Sequence, residues 1–205
     1  MFTRAHYALI VFNAMYLVPL IIKFILEGNW EFLAYVGQVV GLVILLLVTL
    51  KKTHFPVWLL FMLSGWAALH MAGGAVQVGD GVLYGYRFFH IIGEGDSFVL
   101  RYDQVIHFYG FFTTTFVAYW LMLPQLKVGF RPGLVAFVAM LASMGFGAIN
   151  EIIEFGTVLA VPDNGVGGYF NTAIDLVANG IGALLAALII AYGTVGRTLH
   201  KKLNS

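Results

Sequence analysis

Gly145-Phe-Gly-Ala-Ile-Asn150-Glu151-Ile-Ile-Glu154-Phe155 sets two carboxylates inside an apolar run of membrane-spanning length. A charged side chain in a spanning helix costs roughly 2.5–3.5 kcal/mol on insertion scales, so two of them three residues apart call for partners. At a spacing of i, i+3 the two glutamates share one helix face. The sequence offers matching faces elsewhere: Asp103 and His107 at i, i+4, and the series Asn171, Asp175, Asn179 at the same spacing. The fold follows from whether the helices bearing these faces cross a membrane and meet at one depth.

Composition settles the first point. The 205 residues are 60% hydrophobic and 10% charged, with a mean hydropathy of +0.89, which excludes a soluble globular domain. There is no cysteine, hence no disulfide framework, thiolate metal site or cysteine nucleophile. No basic patch points to nucleic acid. Six apolar spans are expected at about 7–26, 32–50, 56–74, 103–123, 133–160 and 170–193, each near the roughly 20 residues that cross the hydrocarbon core. The first span carries Lys23 and lacks a small-residue cleavage site, so it is expected to stay in the mature chain rather than act as a signal peptide. Pro19 is expected to kink it, while Asn13 and Lys23 read as packed or snorkelling residues.

Charge then orients the spans. Arg4, Lys51, Lys52, Lys127, Arg131, Arg197, Lys201 and Lys202, eight of the eleven basic residues, fall on one side, which the positive-inside rule makes cytoplasmic. Six spans return both termini to that side. All ten acids (Glu27, Glu31, Asp80, Glu94, Asp96, Asp103, Glu151, Glu154, Asp163 and Asp175) lie on or toward the other, a face that attracts cations. His6, His54 and His200 fall on the cytoplasmic side, away from the carboxylates. The longest connection, about residues 75–102, is expected outside. Its alternating aromatics from Val82 to Ile92 and the turn residues Gly93 to Asp96 suggest a hairpin lid over the helix ends, with His90 an ordinary loop histidine. No repeat or linker divides the chain, so a single domain, 1–205, is expected.

With these directions, a rise of about 1.5 Å per residue places Glu154 and Glu151 roughly 9 and 14 Å in from the outer surface. The same rise puts Asp175 roughly 8 Å and Asn179 roughly 14 Å in, with His107 about one turn below Asp103. His70, near the outer end of the third span, is close to that level. Gly145, Gly147, Ala148, Ala178, Gly180, Gly182 and Ala183 supply the small residues that let membrane helices approach. Four carboxylates and a histidine cannot all stay ionised in a low dielectric without a cation or protons. The expected metal ligands are Asp103, His107, Glu151, Glu154 and Asp175, with His70, Asn171 and Asn179 as further contributors, and this mixed set suits Zn, Mn or non-haem Fe. Glu151 or Glu154 is the expected general base. A purely structural polar network, with Asn179 as helix glue, and an ion or proton path are the competing readings. Thr113, Thr114 and Thr115 are expected to bond back within their helix.

The pieces His70-x-x-Gly73-Gly74, Tyr102-Asp103-x-x-x-His107-Phe108, Glu151-x-x-Glu154 and Asp175-x-x-x-Asn179-x-x-Gly182 resemble the YjdF-like family of bacterial membrane proteins and, more remotely, the VanZ-like proteins. The resemblance covers about residues 65 to 190. It implies a multi-pass protein of the cell membrane without established catalytic residues, and the VanZ-like relatives are linked to glycopeptide resistance at the envelope. The chain departs from these patterns at Asn171, where YjdF-like chains carry an acid, and at Gln104, where VanZ-like chains carry Lys. The combined expectation is an all-α six-helix transmembrane bundle with an outward-facing site. Its leading function is a metal-dependent hydrolase or transferase acting on a lipid-linked or cell-envelope substrate; the alternative is an ion- or proton-coupled transporter. A carrier needs polar access from both sides. Phe116 to Trp120 and residues 184–190 offer almost none.

Overall fold

The computed structural model describes residues 3–90, 99–126, 130–160 and 168–193. Six helices carry the fold: α1 (Arg4–Glu27), α2 (Trp30–Thr53), α3 (Val57–Ala75), α4 (Tyr102–Met122), α5 (Pro132–Ala160) and α6 (Tyr169–Tyr192). All six are long and apolar enough to cross a membrane, in the order and near the bounds that hydropathy sets. Their ends follow local chemistry. Gly28 closes α1 in the left-handed region at φ 63, and the Asn29 side chain accepts from the Phe32 N–H to open α2. Pro56 then precedes the first turn of α3, where a missing N–H costs nothing.

The chain forms two compact units, Met1–Arg87 with Arg101–Asp103, and Phe88–Leu100 with Gln104–Ser205. In the first, α1, α2 and α3 pack around Leu17, Phe24, Val36, Val39, Ala67 and Met71. Asn13 is a packed residue there, its amide donating to Leu9 O and Ser64 Oγ while its oxygen accepts from Tyr16. Lys23 donates to Ala75 O at 3.0 Å, so its charge ends on a helix carbonyl at the end of α3. Pro19 lies inside α1, which continues through it.

Between α3 and α4 the chain makes two small sheets. β1 (Gln77–Val78) and β2 (Gly81–Val82) form a tight antiparallel hairpin, turning at Gly79 with φ +60. A 3-10 turn at Leu83–Gly85 follows, and then β3 (Arg87–His90), which pairs with β4 (Val99–Arg101). The aromatic run from Val82 is therefore not one strand. Tyr84, in the turn, packs its ring on Gly73 of α3 and donates to His70 O, which bends the chain before β3 begins. Residues 91–98, with Gly93, Glu94, Gly95 and Asp96, lie outside the described residues, as do Lys127, Asp163, Arg197, His200, Lys201 and Lys202.

In the second unit α5 and α6 pack along each other, and α4 lies against both. Gly182 of α6 meets the α4 backbone so closely that a Cβ there would fall 2.2 Å from Phe108 O. Ser143 of α5 donates to Phe111 O of α4 at 2.9 Å. Gly145 has nothing within 4 Å of a built Cβ, and Gly180 only the tip of Met144. Of these glycines, Gly147 and Gly182 are the ones at close approaches. Thr114 and Thr115 bond back to Gly110 O and Phe111 O as their type predicts.

Candidate functional site

The outward face of α5 is apolar and bare. Phe146, Ile149, Ile152 and Phe155 are all more than half exposed, as lipid-facing side chains must be. Glu151, on the opposite face, is 5% exposed. Glu154 is partly buried one turn further along the same side. The helix therefore turns its carboxylates into the protein, where α4 brings His107 and α6 brings Asp175, both buried. One ligand atom from each of His107, Glu151, Glu154 and Asp175 lies within 4.8 Å of the others.

The contacts within the group are specific. His107 Nδ1 is 3.5 Å from Glu151 Oε1, and His107 Nε2 is 3.8 Å from Glu154 Oε1. Glu154 Oε1 also accepts from Asn150 Nδ2 at 2.7 Å. Asp175 is fully buried. Its Oδ1 accepts from Gln104 Nε2 and its Oδ2 from Asn171 Nδ2, both at 2.6 Å. Asn179 Oδ1 bonds His107 Nδ1 at 3.0 Å, and the His107 ring stacks over Phe111 one turn down α4.

Of the residues singled out in the sequence, the structure brings together His107, Glu151, Glu154 and Asp175, with Asn171 and Asn179 as hydrogen-bond partners to the acid and the imidazole. Asp103 is not one of the four. It belongs to the first unit and stands in the first turn of α4, where a carboxylate complements the positive end of the helix dipole. His70 is not one of the four either. Within the first unit its ring stacks on Trp66 at 5.1 Å, and its Nδ1 is 2.6 Å from the Tyr84 hydroxyl. Two residues gain roles that spacing did not assign. Asn150 is one helical turn before Glu154 and orients it. Gln104, i−3 from His107 on α4, reaches Asp175 and also approaches Asn171 Oδ1 at 3.4 Å. Its signal was a long amide inside a span, on the face of a histidine.

Mixed carboxylate and imidazole donors on three helices can share a divalent cation of the Zn, Mn or Fe kind, or share protons. The amides of Asn150, Gln104, Asn171 and Asn179 surround them as the outer partners that orient ligands. Fold and site together define a class: a polytopic integral membrane protein with a buried carboxylate and imidazole cluster between its last three helices.

The chain belongs to the family described as "Predicted membrane protein (DUF2238)", whose pattern it matches over residues 5–195. It is 32% identical over 101 residues to a Thermotoga maritima protein described as uncharacterized, a match covering 48% of this chain and 52% of that one. The chain thus spans about half the length of that relative. No solved structure matches.

Proposed function

We propose that the cluster is a divalent metal site of a membrane-embedded hydrolase or transferase acting on a lipid-linked or cell-envelope substrate. The observation that carries the reading is the convergence of His107, Glu151, Glu154 and Asp175 within 4.8 Å in a protein whose helices otherwise expose apolar surface. Three carboxylates in that space repel one another unless a cation or protons intervene. When bound, a Zn, Mn or Fe(II) ion supplies Lewis acidity and lowers the pKa of a water it holds. Asp175, fixed at both oxygens by Gln104 and Asn171, serves as the immobile ligand. Glu154 is less buried and its Oε1 is tethered by Asn150, which suits its Oε2 to taking a proton from the attacking water; Glu151 is the alternative base.

The bias of basic residues supports termini and a Lys51–Lys52 connection in the cytoplasm, with the cluster opening toward the outer leaflet of the cell membrane. The likeness to YjdF-like chains, and more remotely to VanZ-like ones, supports an envelope substrate. The test is elemental analysis of the purified protein. About one equivalent of Zn, Mn or Fe per chain is expected, with Glu151→Gln and His107→Ala each lowering affinity by at least about tenfold. Metal-free protein with an intact fold, taking up no ion on reconstitution, would leave a protonated network, and with it the proton-coupled carrier, as the better account.

A further inference from the structure

We propose that Asn179 is a positioning residue that fixes the tautomer of His107, and so decides which ring nitrogen is offered to the metal. The inference rests on the metal reading above but is tested separately from it. Asn179 is 1% exposed. Its Oδ1 lies 3.0 Å from His107 Nδ1, and an amide oxygen only accepts, so the proton of that bond belongs to Nδ1. An imidazole that ligates a metal carries one N–H, so with Nδ1 donating to Asn179 the lone pair offered to an ion is that of Nε2.

Nε2 faces Glu154 Oε1 at 3.8 Å, too far apart for a hydrogen bond. Metal bonds of about 2.0–2.2 Å at near-tetrahedral angles set ligand atoms about 3.3–3.6 Å apart, so spacing alone does not choose between this pair and the one at Nδ1, and the Asn179 hydrogen bond decides. The competing arrangement puts the ion between Nδ1 and Glu151 Oε1, which are 3.5 Å apart. It would strip Asn179 Oδ1 of its bond. Among the described residues Asn179 Nδ2 is already buried without a hydrogen-bond partner, so the whole amide would be left unsatisfied in a buried site, a penalty that disfavours this arrangement.

Gly147 of α5 makes room for the amide. A Cβ there would fall 2.9 Å from Asn179 Nδ2, so Gly147→Ala must push the amide aside and loosen its grip on His107 without altering residue 179. Two independent substitutions therefore reach the same bond.

The experiment is nitrogen NMR of protein labelled with ¹⁵N-histidine and reconstituted in lipid nanodiscs, with the His107 signals assigned by their loss in His107→Gln. In the metal-free wild type, at a pH where the ring carries a single proton, that proton should sit on Nδ1, and added Zn²⁺ should shift Nε2. Asn179→Leu should give mixed tautomers and Zn²⁺ affinity about 10–100-fold weaker, while Asn179→Asp, which keeps an acceptor, should restore both. Gly147→Ala should fall between. A purely structural role would move stability but not the tautomer. Should Asn179→Leu fail to fold, Gly147→Ala and Asn179→Asp carry the comparison. An unchanged tautomer in Asn179→Leu or Gly147→Ala, or a Zn²⁺ shift at Nδ1, would overturn the proposal. If no variant and no wild type binds Zn²⁺ while the tautomer still follows residue 179, the metal reading fails and the assignment of Asn179 stands.

Discussion

Asp175 is a fully buried carboxylate whose two amide hydrogen bonds, at 2.6 Å each, come from uncharged side chains. Amide donors bond its oxygens without neutralising its charge. The two donors are not equivalent: Gln104 is 2% exposed, whereas Asn171 is only partly buried, near the start of α6. Gln104→Ala removes a donor that no other group can replace and leaves a cavity. It should cost about 1–2 kcal/mol, near the upper end for hydrogen bonds between membrane helices, and weaken metal binding about tenfold. Asn171→Ala should cost less on both counts, because water can reach its place. Thermal unfolding and metal titration of the two variants check the order, and equal effects would mean that Asp175 is held by something else. The sequence showed that Asn171, Asp175 and Asn179 share a face, since that follows from helical period alone. It did not show Gln104, because the partner of a flexible amide depends on how α4 is rotated. For the same reason Asp103 and His107, one turn apart on one face, looked alike on paper, although one joins the cluster and the other sits at the helix start.

At the scale of elements, the six spans were legible because hydropathy over some 20 residues averages out local detail. The connection between α3 and α4 was less so. Alternating aromatics from Val82 suggested a hairpin, and short strands do occur there, but Tyr84 packs back on Gly73 and interrupts them with a 3-10 turn at Leu83–Gly85. Small residues were a second partial signal. Seven of them flank the polar layer, yet composition does not say which face another helix, and of the four glycines among them Gly147 and Gly182 are the ones where an added Cβ would clash. The distinction is testable. Gly182→Ala drives a methyl into Phe108 O and must part α4 from α6, an overpacking cost of about 1–3 kcal/mol, with metal affinity falling as His107 moves off Asp175. Gly145→Ala, which meets nothing within 4 Å, should be neutral or stabilising by up to about 1 kcal/mol through helix propensity. Thermal melts in one detergent compare them. Matching losses would show that α4 does not pass over Gly182 in the membrane.

At the scale of the whole molecule, connectivity constrains what charge alone cannot. If all six helices cross the bilayer, the Lys51–Lys52 end of α2, the α4–α5 connection with Arg131 and both termini share one surface. The β1–β4 segment, the N-terminal end of α4 and the C-terminal end of α5 then share the other. The cluster lies nearer that second surface, because His107 and Asp175 are in the first two turns of α4 and α6 and Glu154 is in the last two of α5. Parity fixes this whichever way the protein is inserted; only the positive-inside bias says which surface is cytoplasmic. The chain has no cysteine, so single cysteines report cleanly. Asp80→Cys, in the β1–β2 turn, should react with a membrane-impermeant maleimide in intact cells. Lys52→Cys should react only after the membrane is opened. Both positions are exposed, so reactivity reads sidedness rather than burial. Labelling of both in intact cells would mean that α3 does not cross. The reverse pattern would keep the six-span fold but turn the cluster toward the cytoplasmic leaflet, and an envelope substrate on the outer face would then be ruled out.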